Sequence, residues 1–371
     1  MNAKAKYDLK ALCGEFCILG AFVSAEPYGS GHINDTYAVV FNQGGTPVRY
    51  ILQRVNGNVF RNGDALMDNI HRVTVHQQRK LRESGAADAS RRALTLIPSH
   101  TGAPFHRDEH GNIWRVYIFV EHATGHDRIE DPKQAEAAAR AFGEFQQLLV
   151  DLPGAPLAET IPNFHNTPSR FEALTRAVAA DKHNRAAQAR NEIDFVTARQ
   201  RDTEILLELH KKGEIPAVVT HNDTKLNNVL LDNATGEGIC VIDLDTVMPG
   251  LALYDFGDMV RTATNSARED EKDLSSIHMR MMIFEALAKG YLSSARAFLG
   301  KTEMQLLPFS GKLLSFECGI RFLTDYLEGD VYFKTRRPGQ NIDRCRCQFK
   351  LTESIEQNTV AMQAVVDRLS E

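Results

Sequence analysis

The sequence predicts an α/β chain of the α+β kind. It has a small lobe, residues 1–120, built as a five-stranded antiparallel sheet with one helix, and a larger, mainly helical lobe, residues 121–371. Three observations carry this. Short β-branched and aromatic runs separated by glycine-containing turns fill the first third. Beyond Val120 the composition shifts to Ala-, Glu- and Gln-rich segments with apolar residues at helical spacing. Among those helices lies one short strand pair, 228–232 and 238–243, with polar side chains crowded at its ends.

The elements follow in order. Residues 9–16 read as a short helix running into a strand at 18–24. Lys4, Lys6 and Lys10 ahead of the apolar run 11–25 imitate a secretory leader, but Asp8 and Glu15 interrupt that pattern. Two more strands, 36–41 and 48–55, are joined through Asn42-Gln43-Gly44-Gly45. Residues 65–81 carry Leu66, Ile70, Val73 and Leu81 on one helical side, and strands are expected at 93–97 and 114–120. In the larger lobe, 132–150 is a helix with Ala138, Phe142, Phe145 and Leu149 on one face. Four prolines make 153–168 a loop, and helical patterns follow at 169–181, 191–212, 268–297, 303–328 and 350–370.

Composition narrows the function classes. A chain of 371 residues, 43% apolar and 25% charged, is ordinary for a globular protein. Its net charge of −5 and dispersed Lys and Arg argue against nucleic acid as a partner. No apolar run is long enough to cross a membrane. The six cysteines lack CxxC or zinc-site spacing, so free thiols in the cytoplasm are expected, with redox chemistry at Cys345-Arg346-Cys347 the lesser alternative.

Chemistry concentrates in residues 218–247. Asp223 leaves the β-type run 217–220 and enters a polar loop, with His221 two residues before it and Asn228 five after. Asp243 ends the apolar run 238–242. A carboxylate that orients a hydroxyl, with an amide oxygen and a second carboxylate to hold Mg²⁺ on phosphates, is what metal-assisted phosphoryl transfer needs. A lone Asp in such a place would be a turn or cap residue, and the combination is what points to function. Asp245 is either a further residue of the metal site or a loop anion. Lys225 meets a terminal phosphate or is simply solvated. The segment from Tyr28 through Gly29 and Gly31 to Thr36 joins two strands. Its glycines allow a close approach to phosphate, though a plain hairpin would look the same.

The set His221-Asn222-Asp223, Asn228 and Val241-Ile242-Asp243 resembles the aminoglycoside-phosphotransferase and choline-kinase superfamily, relatives of the protein kinases. The segment 254–259, Tyr-Asp-Phe-Gly-Asp-Met, resembles the same superfamily. Residues 31–37, 50–56 and 242–250 look most like the N-acetylhexosamine 1-kinases. The resemblance spans roughly residues 15–330. It implies a bilobal protein-kinase-like fold, ATP bound between the lobes with Mg²⁺, and phosphorylation of the anomeric hydroxyl of N-acetylglucosamine or N-acetylgalactosamine by a cytoplasmic monomer or dimer. Carried over residue by residue, Asp223 is the base and contacts the sugar, and Asn228 and Asp243 are the metal ligands. His32, Asn34 and Asp35 approach the sugar, Gly29 and Gly31 approach the nucleotide, and Asp255 supports the catalytic loop. Arg321, Asp325 and Tyr326 lie where the family draws sugar contacts, though Arg321 and Asp325, four apart, also make a plain helix ion pair. Protein kinases place a Lys on the third strand against the phosphates. This chain offers Arg54 or Gln53 there, with Asp68 as the acid partner of Arg54, and the connector at Glu121 presents backbone groups to adenine. The same chemistry on an aminoglycoside, homoserine, choline or another sugar stays open, as does a catalytically inactive nucleotide-binding protein. A protein kinase is disfavoured because no Ala-Pro-Glu sequence follows Asp243.

Overall fold

A computed structural model describes residues 7–29, 31, 33–86 and 88–371. Two compact units form. The first takes Met1–Ala123, Asp151–Ile161 and Ile239–Met248, and the second Thr124–Val150, Pro162–Gly238 and Pro249–Glu371. A single boundary at 120 leaves out the two later returns to the first unit, which have a local cause. The buried Asn69 amide donates to the carbonyls of Ala158 (2.8 Å) and Val247 (3.1 Å) and accepts from the Ala158 N–H (2.9 Å), tying both segments to one helix.

The first unit holds α1 (Leu9–Cys13), β1 (Ala21–Pro27), β2 (Asp35–Gln43), β3 (Thr46–Arg54), α2 (Gly63–Glu83), α3 (Ala89–Arg92), β4 (Leu96–Ile97), β5 (His106–Arg107) and β6 (Ile113–Ile118). The sheet runs β1-β2-β3-β6-β4, with β5 also on β6, and every pair is antiparallel. It has six strands rather than five, because β5 is two residues long and too short to show alternation. The β2–β3 turn uses Gly44 and Gly45 at positive φ, and Asn42 Oδ1 accepts from the Gly45 N–H at 2.8 Å. Period-two alternation sorts the faces. Val39, Phe41, Tyr50, Leu52, Trp114 and Val116 build one core with Cys13 and Phe16. Gln53 and Arg115, cross-strand partners, alternate with those core positions.

In chain order there follow β7 (Ala123–Thr124), α4 (Pro132–Leu149), α5 (Thr167–Ala180), α6 (Arg190–Thr197), α7 (Ile205–Lys211), β8 (Val218–Thr220), β9 (Val229–Asp232), β10 (Gly238–Val241), β11 (Met248–Gly250), α8 (Ala252–Ala263), α9 (Met281–Ala295), α10 (Lys301–Gln305), α11 (Leu307–Leu327) and α12 (Gln340–Ser370). In the second unit α4 packs along α9, and α11 packs on α5, α8 and α12. Phe316, Ile320, Leu323, Cys345 and Phe349 lie at the centre of one of its cores.

Three expected helices are shorter than their patterns. The 191–212 pattern breaks between α6 and α7, where the Thr203 hydroxyl bonds the Gln200 carbonyl. The 268–297 pattern becomes helical only at Met281, because Glu271 and Asp273 accept from nearby backbone N–H groups and hold a turn. The 303–328 pattern splits at Leu306, and Pro308 sits in the first turn of α11. Conversely α12 begins ten residues before the expected 350, and α8 has no counterpart among the expected helices. Its residues have helical periodicity as marked as that of α2, but 254–259 reads as a motif rather than as part of a helix. Among the described residues no helix is long and apolar enough to cross a membrane.

Candidate active site

Strand β8 delivers the chain into the loop 221–228. His221 is fully buried, its ring edge-on to Phe142 and Phe145 of α4, with centroids 5.5 and 5.8 Å away. Asn222 follows in the left-handed region, φ 64°. That turn is held by Asp255 on α8, whose carboxylate accepts from the His221 N–H (2.9 Å) and the Asn222 N–H (2.7 Å). Hydrogen bonds of this charge-assisted kind contribute roughly 1.5–3 kcal/mol each. Gln146 donates to the same carboxylate at 2.6 Å, and Tyr291 donates to Gln146 at 2.5 Å. Burial pushes the Asp255 carboxyl above its ordinary value, against the pull of His221 and of the two N–H groups. Asp255 shapes the loop rather than meeting a substrate.

Asp223 emerges half-buried from this turn. Lys225 Nζ lies 3.0 Å from its Oδ2, so the lysine is paired with the carboxylate rather than simply solvated. Burial would raise the Asp223 carboxyl, but Lys225, His221 and Arg261 together bring it below its ordinary value. It is therefore a carboxylate at neutral pH, able to accept a proton. Asn228 Nδ2 donates to the Asp223 carbonyl (2.8 Å) and to its Oδ2 (3.3 Å). With its nitrogen so used, the Asn228 amide oxygen has no hydrogen bond among the described residues. Among the described residues no group of three or more His, Cys, Asp or Glu side chains could hold a metal. One amide and one carboxylate are the sparse set Mg²⁺ accepts when phosphates and water complete its shell.

A pocket in the second unit opens beside Asp223. Phe164, His165, Asp258, Arg261, Glu317 and Arg321 line it together with Asn222 and Asp223. Arg321 lies over the rings of Phe164 (5.4 Å) and Phe333 (5.5 Å), with no hydrogen-bond or ion-pair partner among the described residues. Asp258 is nearly fully buried. Its Oδ1 accepts from Arg261 at 2.7 Å, while its Oδ2 has no hydrogen-bond partner among the described residues. Asp325 and Tyr326 differ from Arg321. The Asp325 carboxylate accepts from the N–H groups of Val331 (2.9 Å), Tyr332 (2.7 Å) and Phe333 (3.0 Å) and from Asn341 (2.8 Å), which saturates it. It shapes the turn that carries Phe333 to Arg321, and it forms no ion pair with Arg321. Tyr326 is buried, with Arg185 over its ring at 4.6 Å and its hydroxyl 3.4 Å from Gln188.

The first unit holds the other candidates. Asp243 ends the strand pair in the left-handed conformation, φ 60°. Asp245 is buried and paired with the equally buried Arg115 at 2.5 Å; Asn34 donates to its other oxygen at 2.6 Å. Arg115 also donates to Gln53 (2.8 Å). Burial would lower the Arg115 pKa, but Asp245, Tyr117 and Asp243 raise it. Asp245 is thus a buried partner of Arg115 and Asn34. Arg115 was missed because an arginine inside a strand carries no motif. Arg54 pairs with Asp35 (2.8 Å), not with Asp68, which is mostly exposed and lies 3.8 Å from Arg72. Register explains the change: Asp35 and Arg54 are cross-strand partners on β2 and β3. Glu121 is ion-paired with Arg49, whose guanidinium stacks 3.8 Å from the Phe119 ring. Gly29 adopts positive φ, and a Cβ at Gly29 or Gly31 would meet nothing within 4 Å, which leaves backbone accessible. His32 lies outside the described residues.

A family model described as phosphotransferase enzyme family matches residues 24–296. The chain belongs to that family. Solved structures share its fold at low identity. An aminoglycoside phosphotransferase from Alicyclobacillus acidocaldarius matches with TM-score 0.62 and 12% identity, over 99% of this chain and 98% of that one. A choline kinase from Cryptosporidium parvum matches with TM-score 0.56 and 13% identity, over 96% of each. The GDP complex of an aminoglycoside 2'-phosphotransferase matches with TM-score 0.52 and 13% identity, over 91% and 94%. A phosphotransferase needs an aimed acceptor for the hydroxyl proton and a bed of donors and acceptors for the alcohol. Asp223 and the pocket beside it are chemically suited to both tasks.

Proposed function

We propose that this phosphotransferase moves the γ-phosphoryl of ATP to the anomeric hydroxyl of an N-acetylhexosamine. The observation that carries the choice of acceptor is the chemistry of the pocket beside Asp223. An aminoglycoside carries several ammonium groups and calls for a strongly acidic bed. This pocket balances Asp223, Asp258 and Glu317 against Arg261, Arg321 and His165. A quaternary ammonium calls for open aromatic faces, but Arg321 already covers Phe164 and Phe333 with its own cation. A neutral sugar with an acetamido group suits one guanidinium and one carboxylate oxygen that both lack hydrogen-bond partners among the described residues.

In this reading the acceptor hydroxyl donates a hydrogen bond to Asp223, which turns the oxygen toward phosphorus. As the new O–P bond forms, the proton passes to the carboxylate and ADP departs. An anomeric hydroxyl is more acidic than an ordinary alcohol, so a carboxylate of low pKa suffices. Lys225 holds the carboxylate in place. Asn228 and Asp243 are the proposed ligands of Mg²⁺, which when bound would neutralise charge on the phosphates. GDP in one solved relative supports a nucleotide as donor.

The test is ADP release with N-acetylglucosamine, N-acetylgalactosamine, unacetylated hexoses, choline, homoserine and kanamycin, followed by phosphorus NMR of the product. Turnover on an N-acetylhexosamine with phosphorus on the anomeric oxygen is expected. Turnover on choline or kanamycin with none on either N-acetylhexosamine removes the sugar reading and leaves the family.

A further inference from the structure

We propose that His165 is a positioning residue for phosphoryl transfer: as an imidazolium it bridges the Glu317 carboxylate and the Asn222 carbonyl, and so fixes the peptide that carries Asp223. This deepens the function proposed above and rests on it for the role of Asp223. His165 lies in the loop before α5, outside every motif in the sequence, and it is buried, as is Glu317 of α11. Its Nδ1 is 2.8 Å from Glu317 Oε1 and its Nε2 is 3.0 Å from the Asn222 carbonyl oxygen. A carboxylate and a carbonyl can only accept, so both ring nitrogens must carry hydrogen. The other Glu317 oxygen accepts from the Thr167 hydroxyl at 2.6 Å, which completes its role as an anion.

The target of this bridge is the strained point of the loop. Asn222 has φ 64°, and its N–H is already held by Asp255. An anion therefore grips the residue at its N–H and a cation grips it at its carbonyl. Asp223 hangs directly from the second of those groups. If the 222–223 peptide rotates, the Asp223 carboxylate moves with it.

The charged surroundings favour the cation. Around His165 are Glu317 and Arg321 from α11, Asp255, Asp258, Arg261 and the Tyr254 ring from α8, and Asp223 from the loop. Tyr254 is neutral, its hydroxyl pushed up by burial. Burial works against the imidazolium, yet Glu317, the Asn222 carbonyl and Asp258 together raise the His165 pKa above its ordinary value. Glu317 is correspondingly held below its own, burial notwithstanding, chiefly by His165. Take away the Glu317 charge and burial dominates, so the ring sheds its proton at lower pH.

Two measurements on the full chain test this. The first is long-range proton–nitrogen NMR of histidine-labelled wild-type protein at about pH 8, well above the ordinary histidine range. The His165 signals are assigned by their loss in His165→Gln. Both ring nitrogens are expected to be protonated, and a single unprotonated one overturns the proposal. The second is kinetic, using the best acceptor found or, failing any, the slow hydrolysis of ATP. His165→Gln is expected to lower kcat roughly ten- to hundredfold with KM for nucleotide within about twofold, because a misplaced base costs turnover rather than nucleotide binding. Glu317→Gln keeps an acceptor for Nδ1–H but not the charge, so its kcat falls as pH rises through a new ionisation that the wild type lacks. Wild-type kcat in His165→Gln, or a wild-type pH profile in Glu317→Gln, overturns the proposal. Absence of any sugar turnover counts against the acceptor reading alone, since the NMR signals and ATP hydrolysis still report on His165.

Discussion

Asp223 is the proposed base, and its surroundings say how a substitution will fail. Asp223→Asn keeps the size and the hydrogen bonds from Asn228 but cannot take a proton. Its kcat is expected to drop about 10²–10⁴-fold, the range of a lost general base, with nucleotide affinity measured by calorimetry nearly unchanged. Near-normal turnover would show that Asp223 is not the base. Arg321 and Asp258 fail in a different way. The Arg321 guanidinium and the Asp258 Oδ2 have no hydrogen-bond partner among the described residues, so Arg321→Ala and Asp258→Asn are expected to raise the acceptor KM. A lost charged hydrogen bond of about 1.5–3 kcal/mol corresponds to roughly ten- to a hundredfold, with KM for nucleotide unmoved. A rise in nucleotide KM instead would put them outside the acceptor pocket. The contrast between these residues also marks what could be read beforehand. Asp223 and Asn228 lie five apart in a loop after a strand, and local spacing exposes them. His165 reaches Glu317 across 152 positions and Arg115 reaches Asp245 across 130. Nothing in a linear chain marks such pairs before folding brings them together. The family resemblance put Asp325 among the sugar contacts with Arg321 and Tyr326, whereas four protein donors hold its carboxylate in the fold.

Among the elements, α8 has the greatest influence on the site, since it carries both Asp255 and Asp258. It sits tightly against α11 through Gly257, where an added Cβ would lie 2.4 Å from the Ser310 carbonyl oxygen. α9 meets α4 the same way through Gly290, with a Cβ 2.1 Å from the Glu136 carbonyl oxygen. Backbone oxygens cannot rotate aside, so Gly257→Ala and Gly290→Ala must push helices apart, at about 1–3 kcal/mol each. Both are expected to melt several degrees lower in calorimetry. Gly257→Ala should also lower kcat, and by more than Gly290→Ala, because it displaces the helix that holds the Asn222 turn, whereas Gly290→Ala reaches that turn only through Tyr291 and Gln146. Equal kcat in both variants would mean that α8 position does not matter to the loop. Strongly periodic elements such as α2 and α4 were legible because each is hydrophobic on one side only. α8 has the same periodicity, but its segment 254–259 reads as a motif rather than as a helix, and the 268–280 segment misled because its side chains hydrogen-bond the backbone in competition with a helix.

For the molecule as a whole, the fold and family were legible because the motifs fall within the stretch 24–296 that the family model matches, while the proposed acceptor rests on a few pocket side chains that come together only in the fold. Ligand binding separates these two levels. A ligand present at about a hundred times its Kd stabilises the protein that binds it by roughly 2.7 kcal/mol. For a cooperative unit of some 150–250 residues, that raises the melting temperature by about 5–10 °C at 2–4 °C per kcal/mol. ATP with Mg²⁺ is expected to give such a shift in the wild type, and adding EDTA should remove most of it. Asn228→Ala and Asp243→Ala are expected to lose the Mg²⁺-dependent part, because each deletes an oxygen proposed to hold the ion. Asp223→Asn should keep it, because the base is not needed to hold nucleotide. An Asp243→Ala protein with the full Mg²⁺-dependent shift would take Asp243 out of the metal site whatever its activity. A further rise on adding N-acetylglucosamine to the Asp223→Asn complex, where turnover cannot consume the ligands, would report acceptor binding by itself. Arg321→Ala on that background should abolish this second rise and leave the first untouched.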